Sequence, residues 1–277
     1  MDYEAEYNNR AHVPEHPEIL AGWARDAAAF RAAQSNAQLG LRYGSSPRQY
    51  LDIFPAAADA PLALFIHGGY WRAMDPSMHS HVAAGPLAHG ITVAVAVAGY
   101  DLAPQVTIAQ IIEQIRVACL TLWRSHKRRF AVYGHSAGGH LAACMTSTDW
   151  SKLEKGAPAD LVPAAYAVSG VFDLTPLVHT SMNADYGLDR TTARAISPLY
   201  WPAPHSRLFD AVVGGSELKE FVRQSRAMAD AWGNKSQTRY EEIPGANHFT
   251  VIEPLADANS AMTARVVEMA HYAYGLK

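Results

Sequence analysis

Gly134-His135-Ser136-Ala137-Gly138 follows an apolar run at 130–133 that reads as a strand, and it opens a helical pattern at 137–147. A serine placed between two such elements occupies a sharp turn with its hydroxyl at the tip. The flanking glycines remove side chains that would collide across that turn. Composition alone would produce Gly-x-Ser-x-Gly about 0.08 times in a chain like this one. The pattern is therefore suggestive, and its place between strand and helix makes Ser136 a candidate nucleophile.

A second apolar run, Leu62–Ile66, lies upstream and ends in His67-Gly68-Gly69-Tyr70-Trp71. Attack on a carbonyl creates an oxyanion, which must be met by backbone N–H groups already in position. Glycines let a loop bring its amides close without a side chain intervening. Gly68, Gly69 and Tyr70 are the candidate donors on this loop. Ala137 is the candidate on the other side, at a helix N-terminus whose dipole favours negative charge.

The elements around these loops alternate. An amphipathic helix is expected at 17–34, with Leu20, Trp23, Ala27 and Phe30 at helical spacing. Strands are expected at 49–54, 62–66, 91–98, 130–133, 164–168, 208–213 and 239–243. Helices are expected at 220–232 and 254–274, and another carries Ile108, Ile111, Ile112, Ile115, Cys119 and Leu122 on one stripe. The stretch from 169 to about 201 reads as irregular. The valine-rich runs look buried on both faces, as parallel strands are. The expected class is α/β: one domain over 1–277 with a mostly parallel central sheet flanked by helices, and a helical extension at 1–40 packed on it.

A serine nucleophile needs a base, and His248 stands in a loop between the final strand and the last helix. His271 falls within that helix, and His140, one turn past Ser136, points away from the hydroxyl. The acid belongs on the loop after the penultimate strand, Gly214-Gly215-Ser216-Glu217-Leu218-Lys219-Glu220. Glu217 is the choice there, with Asp210 mid-strand and Glu220 opening a helix as rivals. The acid's task is to fix the histidine tautomer and stabilise the imidazolium.

Bulk properties exclude other classes. The formal net charge is −3, with no basic face for nucleic acid. The basic run at 124–129 reads as a helix end. Cys119 and Cys144 read as buried free thiols. No apolar stretch is long enough to span a bilayer, and the N-terminus carries no leader-like segment, so a cytoplasmic protein is expected. No metal is expected, and His79-Ser80-His81 reads as a pair of solvated loop histidines. No phosphate-binding loop calls for a nucleotide, so no cofactor is expected. Trp71, Tyr100 and Phe249 adjoin the proposed loops and are candidates to line a pocket for a flat substrate.

With these residues assembled, the chain resembles the kynurenine formamidase (arylformamidase) family of α/β-hydrolases, and is similar to the wider hormone-sensitive-lipase-like esterases. The likeness is carried by Glu6-Tyr7-Asn8-Asn9, Leu51-Asp52-Ile53-Phe54, the HGGYW loop, Tyr100-Asp101-Leu102-Ala103-Pro104, GHSAGGHLAA at 134–143, Ser169-Gly170-Val171-Phe172-Asp173-Leu174, Ser197-Pro198, 217–225 and Asn247-His248-Phe249. The lipase-like relatives usually carry a third glycine where this chain has Tyr70. The resemblance implies the α/β-hydrolase fold and hydrolysis of an N-formyl arylamine such as N-formylkynurenine, releasing formate in tryptophan catabolism. It also implies a triad of Ser136, Glu217 and His248, although the best-known members carry aspartate at the position matched by Glu217. A carboxylesterase acting on small acyl esters would use the same machinery. A ligand receptor on this fold would not need a complete triad. The expected partner is a small aryl amide or ester; a homodimer is compatible with the sequence.

Overall fold

The computed structural model describes residues 1–96 and 99–276. Eight strands form one sheet: β1 (Gln38–Arg42), β2 (Tyr50–Phe54), β3 (Leu62–Ile66), β4 (Thr92–Ala96), β5 (Ala131–His135), β6 (Ala164–Val168), β7 (Leu208–Gly214) and β8 (Gln237–Ile243). Their order is β1-β2-β4-β3-β5-β6-β7-β8. The β1–β2 and β2–β4 pairs are antiparallel and the other five are parallel. The expected strand at 91–98 is seen as β4, and its positions 97 and 98 lie outside the described residues.

Five longer helices cover the sheet: α1 (His16–Ala33), α2 (Ile108–His126), α3 (Ala137–Thr146), α4 (Lys219–Trp232) and α5 (Ala261–Gly275). Strand periodicity divides the core into two layers. Leu62, Leu64 and Ile66 of β3 face Ile111, Leu141 and Trp232 on the α2, α3 and α4 side. Ala63 and Phe65 face the opposite layer, with Trp23 of α1 and Val266 and Met269 of α5. Thr107 starts α2 with a reciprocal capping box to Gln110. Lys127 ends that helix in the left-handed region, so the basic run does close a helix. Its arginines also find carboxylates: Arg124 pairs with Glu154 and Arg129 with Asp160.

Three elements differ from the sequence reading. The last helix begins at Ala261, not 254; Thr250–Ala256 is a 3-10 stretch containing Pro254. A turn then leads to Ser260, whose hydroxyl caps α5 by accepting from the Thr263 N–H at 3.0 Å. The stretch read as irregular contains short helices at Asn183–Tyr186 and Arg190–Ala195. Edge strand β1 was not anticipated, because all five of its residues are exposed and no alternation marks it.

The parallel strands all end on the same side, so the loops after β3, β5, β7 and β8 converge there, as ligand-binding loops do in open α/β sheets. Within the sheet, Asp210 of β7 is wholly buried and receives two hydrogen bonds from Arg265 of α5, at 2.8 and 3.0 Å. That pair holds the carboxylate away from the loop edge and ties α5 to the sheet.

Removing one partner leaves a buried charge without compensation. Arg265→Met should lower the unfolding free energy by about 3 kcal/mol in urea titrations while the folded fraction keeps its activity. A variant as stable as the parent would contradict this role.

Candidate active site

Ser136 stands between β5 and α3 with φ 57° and ψ −118°, a conformation a non-glycine residue rarely adopts. The turn is possible because backbone meets backbone around it. A Cβ on Gly134 would lie 2.3 Å from the Gly138 carbonyl oxygen, and one on Gly138 would lie 1.9 Å from that of Ile66. A Cβ on Gly68 would meet the His135 carbonyl oxygen at 2.8 Å and the Ser136 Cβ at 2.9 Å. The loop after β3 therefore lies against the Ser136 turn only because position 68 has no side chain.

That loop continues with three consecutive residues at positive φ: Gly69 (107°), Tyr70 (52°) and Trp71 (53°). The N–H groups of Arg72 and Ala73 donate to the Gly69 carbonyl at 3.1 and 2.9 Å, and that of Ala103 donates to the Trp71 carbonyl at 2.9 Å. The Tyr186 hydroxyl donates to the Tyr70 carbonyl at 2.8 Å. Among the described residues, the N–H groups of Gly69, Tyr70 and Ala137 are given to no backbone acceptor. They remain available to a ligand.

His248 follows β8, and its Nδ1 donates to Glu217 Oε2 at 2.6 Å. Glu217 is itself fixed, since its Oε1 accepts from the Gly214 N–H at 2.7 Å and the Ser169 hydroxyl at 2.5 Å. A carboxylate held on both oxygens fixes the tautomer and leaves Nε2 for the cavity. The rival acids are engaged elsewhere: Asp210 with Arg265, and Glu220 with Tyr7, Arg223 and Gln224. His140 faces away and meets the Ile196 carbonyl at 2.8 Å. Ser136 and His248 line one cavity of about 460 Å³. No hydrogen bond joins them among the described residues; such contacts commonly tighten only with substrate in place.

Gly69, Tyr70 and Phe249 line the same cavity, with Met74 and Met182 as further apolar wall. Trp71 and Tyr100 do not line it. Both are fully buried behind the loop, Trp71 edge-on to His140 and Tyr186, and Tyr100 stacked on His67 at 4.8 Å. The opposite wall is the N-terminal segment, with Tyr7, Asn8, Asn9 and Arg10 facing the cavity.

Several supporting residues escaped the sequence reading. Ser169, at φ 53°, holds the Glu217 carboxylate. His135 donates from Nε2 to the His248 carbonyl at 2.8 Å, with its ring 4.8 Å from that of His248. His79 and His81 are not solvated: they are 0% and 6% exposed, packed against Trp23 of α1. The Gly-x-Ser motif contained His135, but nothing in the sequence marked His79 or His81 as buried, because their burial depends on a helix some fifty residues upstream. Among the described residues no group of three or more His, Cys, Asp or Glu could hold a metal ion, and no helix is long and apolar enough to cross a membrane.

Comparison with known proteins agrees with this architecture. Residues 63–252 match the α/β hydrolase fold family. The chain is 30% identical to the kynurenine formamidase of Salmo salar over 246 residues, covering 83% of this chain and 81% of that protein. It is 31% identical to the kynurenine formamidase of Drosophila melanogaster over 257 residues, with the same coverage. Among solved structures, a Silicibacter protein provisionally described as a thioesterase superposes with TM-score 0.85 at 34% identity, covering 96% of this chain and 99% of that one.

The buried histidines make stability depend on pH. Burial, then neighbouring imidazoles, hold His79 and His135 well below the ordinary imidazole range. Burial puts His81 and His140 at about 4, and lowers His126 as well. The folded state keeps these rings neutral while the unfolded chain protonates them below about pH 6.5, so stability falls as pH drops from there toward 4. Asp52 and Glu253, raised by burial, oppose this, but they are two groups against five. Urea unfolding at stepped pH should show a steady loss across that window; constant stability down to about pH 4.5 would contradict it.

Proposed function

The chain belongs to the kynurenine formamidase family of α/β-hydrolases, and on that premise we propose that it is a serine hydrolase cleaving N-formylkynurenine to kynurenine and formate. The observation that carries this reading is the Glu217–His248 hydrogen bond at the wall of the cavity that also holds Ser136 in its strained turn. The relatives named for this activity supply the substrate.

The chemistry runs in two halves. His248 takes the proton of Ser136 as its oxygen adds to the formyl carbon, and the Gly69, Tyr70 and Ala137 amides receive the oxyanion. His248 then passes that proton to the departing aryl nitrogen, and the C–N bond breaks. Water, deprotonated by the same ring, attacks the formyl ester on Ser136, and the ring returns that proton to the Ser136 oxygen as formate leaves. Glu217 acts throughout on His248, stabilising the imidazolium. The apolar wall of Met74, Met182 and Phe249 offers a surface for the aryl ring.

Likeness to the Silicibacter protein favours a second reading, hydrolysis of a small acyl ester or thioester by the same residues. All proposed catalytic groups come from one chain, so monomer and dimer alike should be active. We also infer a cytoplasmic setting, which fits the unpaired buried Cys119 and Cys144.

Purified protein should turn over N-formylkynurenine faster than p-nitrophenyl acetate, and the reverse order would favour the esterase reading. Ser136→Ala should lose at least about 10³-fold in kcat, with unchanged thermal unfolding. Glu217→Gln should lose about 10²- to 10⁴-fold. A Ser136→Ala enzyme with full turnover would overturn the mechanism.

A further inference from the structure

The N-terminal segment at 2–12 forms one wall of the cavity that holds Ser136, and almost every polar side chain in it is engaged, either in capping its own short helices or in fastening it there. Asp2 and Asn8 each accept a backbone N–H at 3.1 Å. Glu4 accepts the Ser181 N–H and hydroxyl, both at 2.7 Å, and Glu6 accepts the Glu220 N–H at 3.2 Å. The Tyr7 hydroxyl donates to Glu220 at 3.1 Å and accepts from Gln224 at 2.6 Å. Asn9 donates to the Tyr70 hydroxyl at 3.2 Å, and His12 meets the Ser216 carbonyl at 2.9 Å. Arg10 is the exception. Among the described residues it is the one charged side chain of this segment without a hydrogen bond or ion pair, and it lines the cavity that contains Ser136.

The other carboxylates and guanidinium at the cavity already have hydrogen-bond partners. The Glu4 carboxylate is held by Ser181, and Arg72 pairs with Asp185 at 2.5 Å. One guanidinium is left over in a cavity whose remaining walls include Met74, Met182 and Phe249. Its complement is a ligand with an apolar aromatic body and an anionic end. A guanidinium presents a planar fork of donors that fits a carboxylate through two parallel hydrogen bonds, which an ammonium cannot reproduce.

We propose that Arg10 is a specificity-determining residue that binds the carboxylate of the substrate's amino-acid side chain, selecting N-formyl arylamines that carry such a carboxylate-bearing tail over those that carry none. The inference rests on the formamidase reading and deepens it. The acyl end of such a molecule faces Ser136 while its tail is held by the N-terminal wall. Arg10 is exposed, so its attraction is screened by salt.

The test measures kcat and KM on N-formylkynurenine and on neutral formanilide for the parent enzyme, Arg10→Gln and Arg10→Lys. Arg10→Gln should lower kcat/KM for N-formylkynurenine about 10- to 50-fold, mostly through KM, and for formanilide by less than about threefold. Arg10→Lys should recover part of the loss. Added salt should raise KM for the carboxylate-bearing N-formylkynurenine in the parent and much less in Arg10→Gln. Parallel losses on both substrates, or no loss on either, would overturn the assignment of Arg10 while leaving the formamidase reading in place. A parent enzyme inert toward both formamides would remove that reading, and the inference with it.

Discussion

Backbone packs directly on backbone where β3 and β5 end, and the catalytic geometry depends on that contact. The two strands are parallel neighbours with Ile66 opposite Gly134. The loop after one and the turn after the other must therefore leave the sheet side by side. Glycine at 68, 134 and 138 removes the three Cβ atoms that would hold them apart. One register thus places the proposed oxyanion donors beside the proposed nucleophile, so a carbonyl carbon brought to that hydroxyl would set its oxygen near those amides. The proposed acid and base come from the β7 and β8 loops at the same edge, and the Glu217–His248 bond joins those two loops to each other.

The cost of this arrangement is concentrated at the site. Seven non-glycine residues have positive φ among the described residues, and five of them, Tyr70, Trp71, Met74, Ser136 and Ser169, belong to the cavity wall or its immediate support. Each such conformation costs on the order of 1 kcal/mol or more, and it persists only where the surroundings over-determine it. Here they do. The Ser136 N–H donates to the Val168 carbonyl at 2.8 Å and the Ser169 N–H to that of Val212 at 2.6 Å, which extends the sheet pairing into the strained residues themselves. A rigid turn keeps donors aimed at the place where charge will develop, without reorganisation when it does.

What the sequence disclosed follows the same physics. Buried parallel strands leave continuous apolar runs, so β3, β6 and β7 were legible to within a residue, and the loops at their ends could be located. Strand β1 left no trace, because neither of its faces is buried. The candidate acid was legible by position only: the sequence put Glu217 on the loop after β7 with the Gly214 N–H three residues before it, whereas Ser169, which also holds its carboxylate, comes from the end of β6 and emerges only when β6 and β7 pair. The aromatic candidates illustrate the limit of adjacency in sequence. Trp71 and Tyr100 stand next to the candidate loops, but the positive φ at Tyr70 and Trp71 accompanies an indole turned behind the loop, and the Tyr100 phenol is buried against the His67 ring. The histidines at 79 and 81 fail for the opposite reason, since an ordinary polar loop is covered by α1.

The N-terminal segment shows why the substrate wall and the catalytic loops are hard to separate. Tyr7 uses its hydroxyl on Glu220 and Gln224 of α4, the helix that follows the acid, and its carbonyl accepts from the Tyr70 hydroxyl at 2.8 Å. Since that hydroxyl's single proton goes to Tyr7, its oxygen must accept from Asn9, which sets the orientation of the Asn9 amide as well. Two residues of the segment thereby grip the strained loop at Tyr70, and the first of them also grips the helix beside Glu217. A segment that closes one side of the cavity is thus also a brace between the oxyanion loop and the acid. Displacing it would open the substrate wall and loosen the positive-φ turn together. Recognition and chemistry in this fold are consequently coupled through ordinary hydrogen bonds a few residues long.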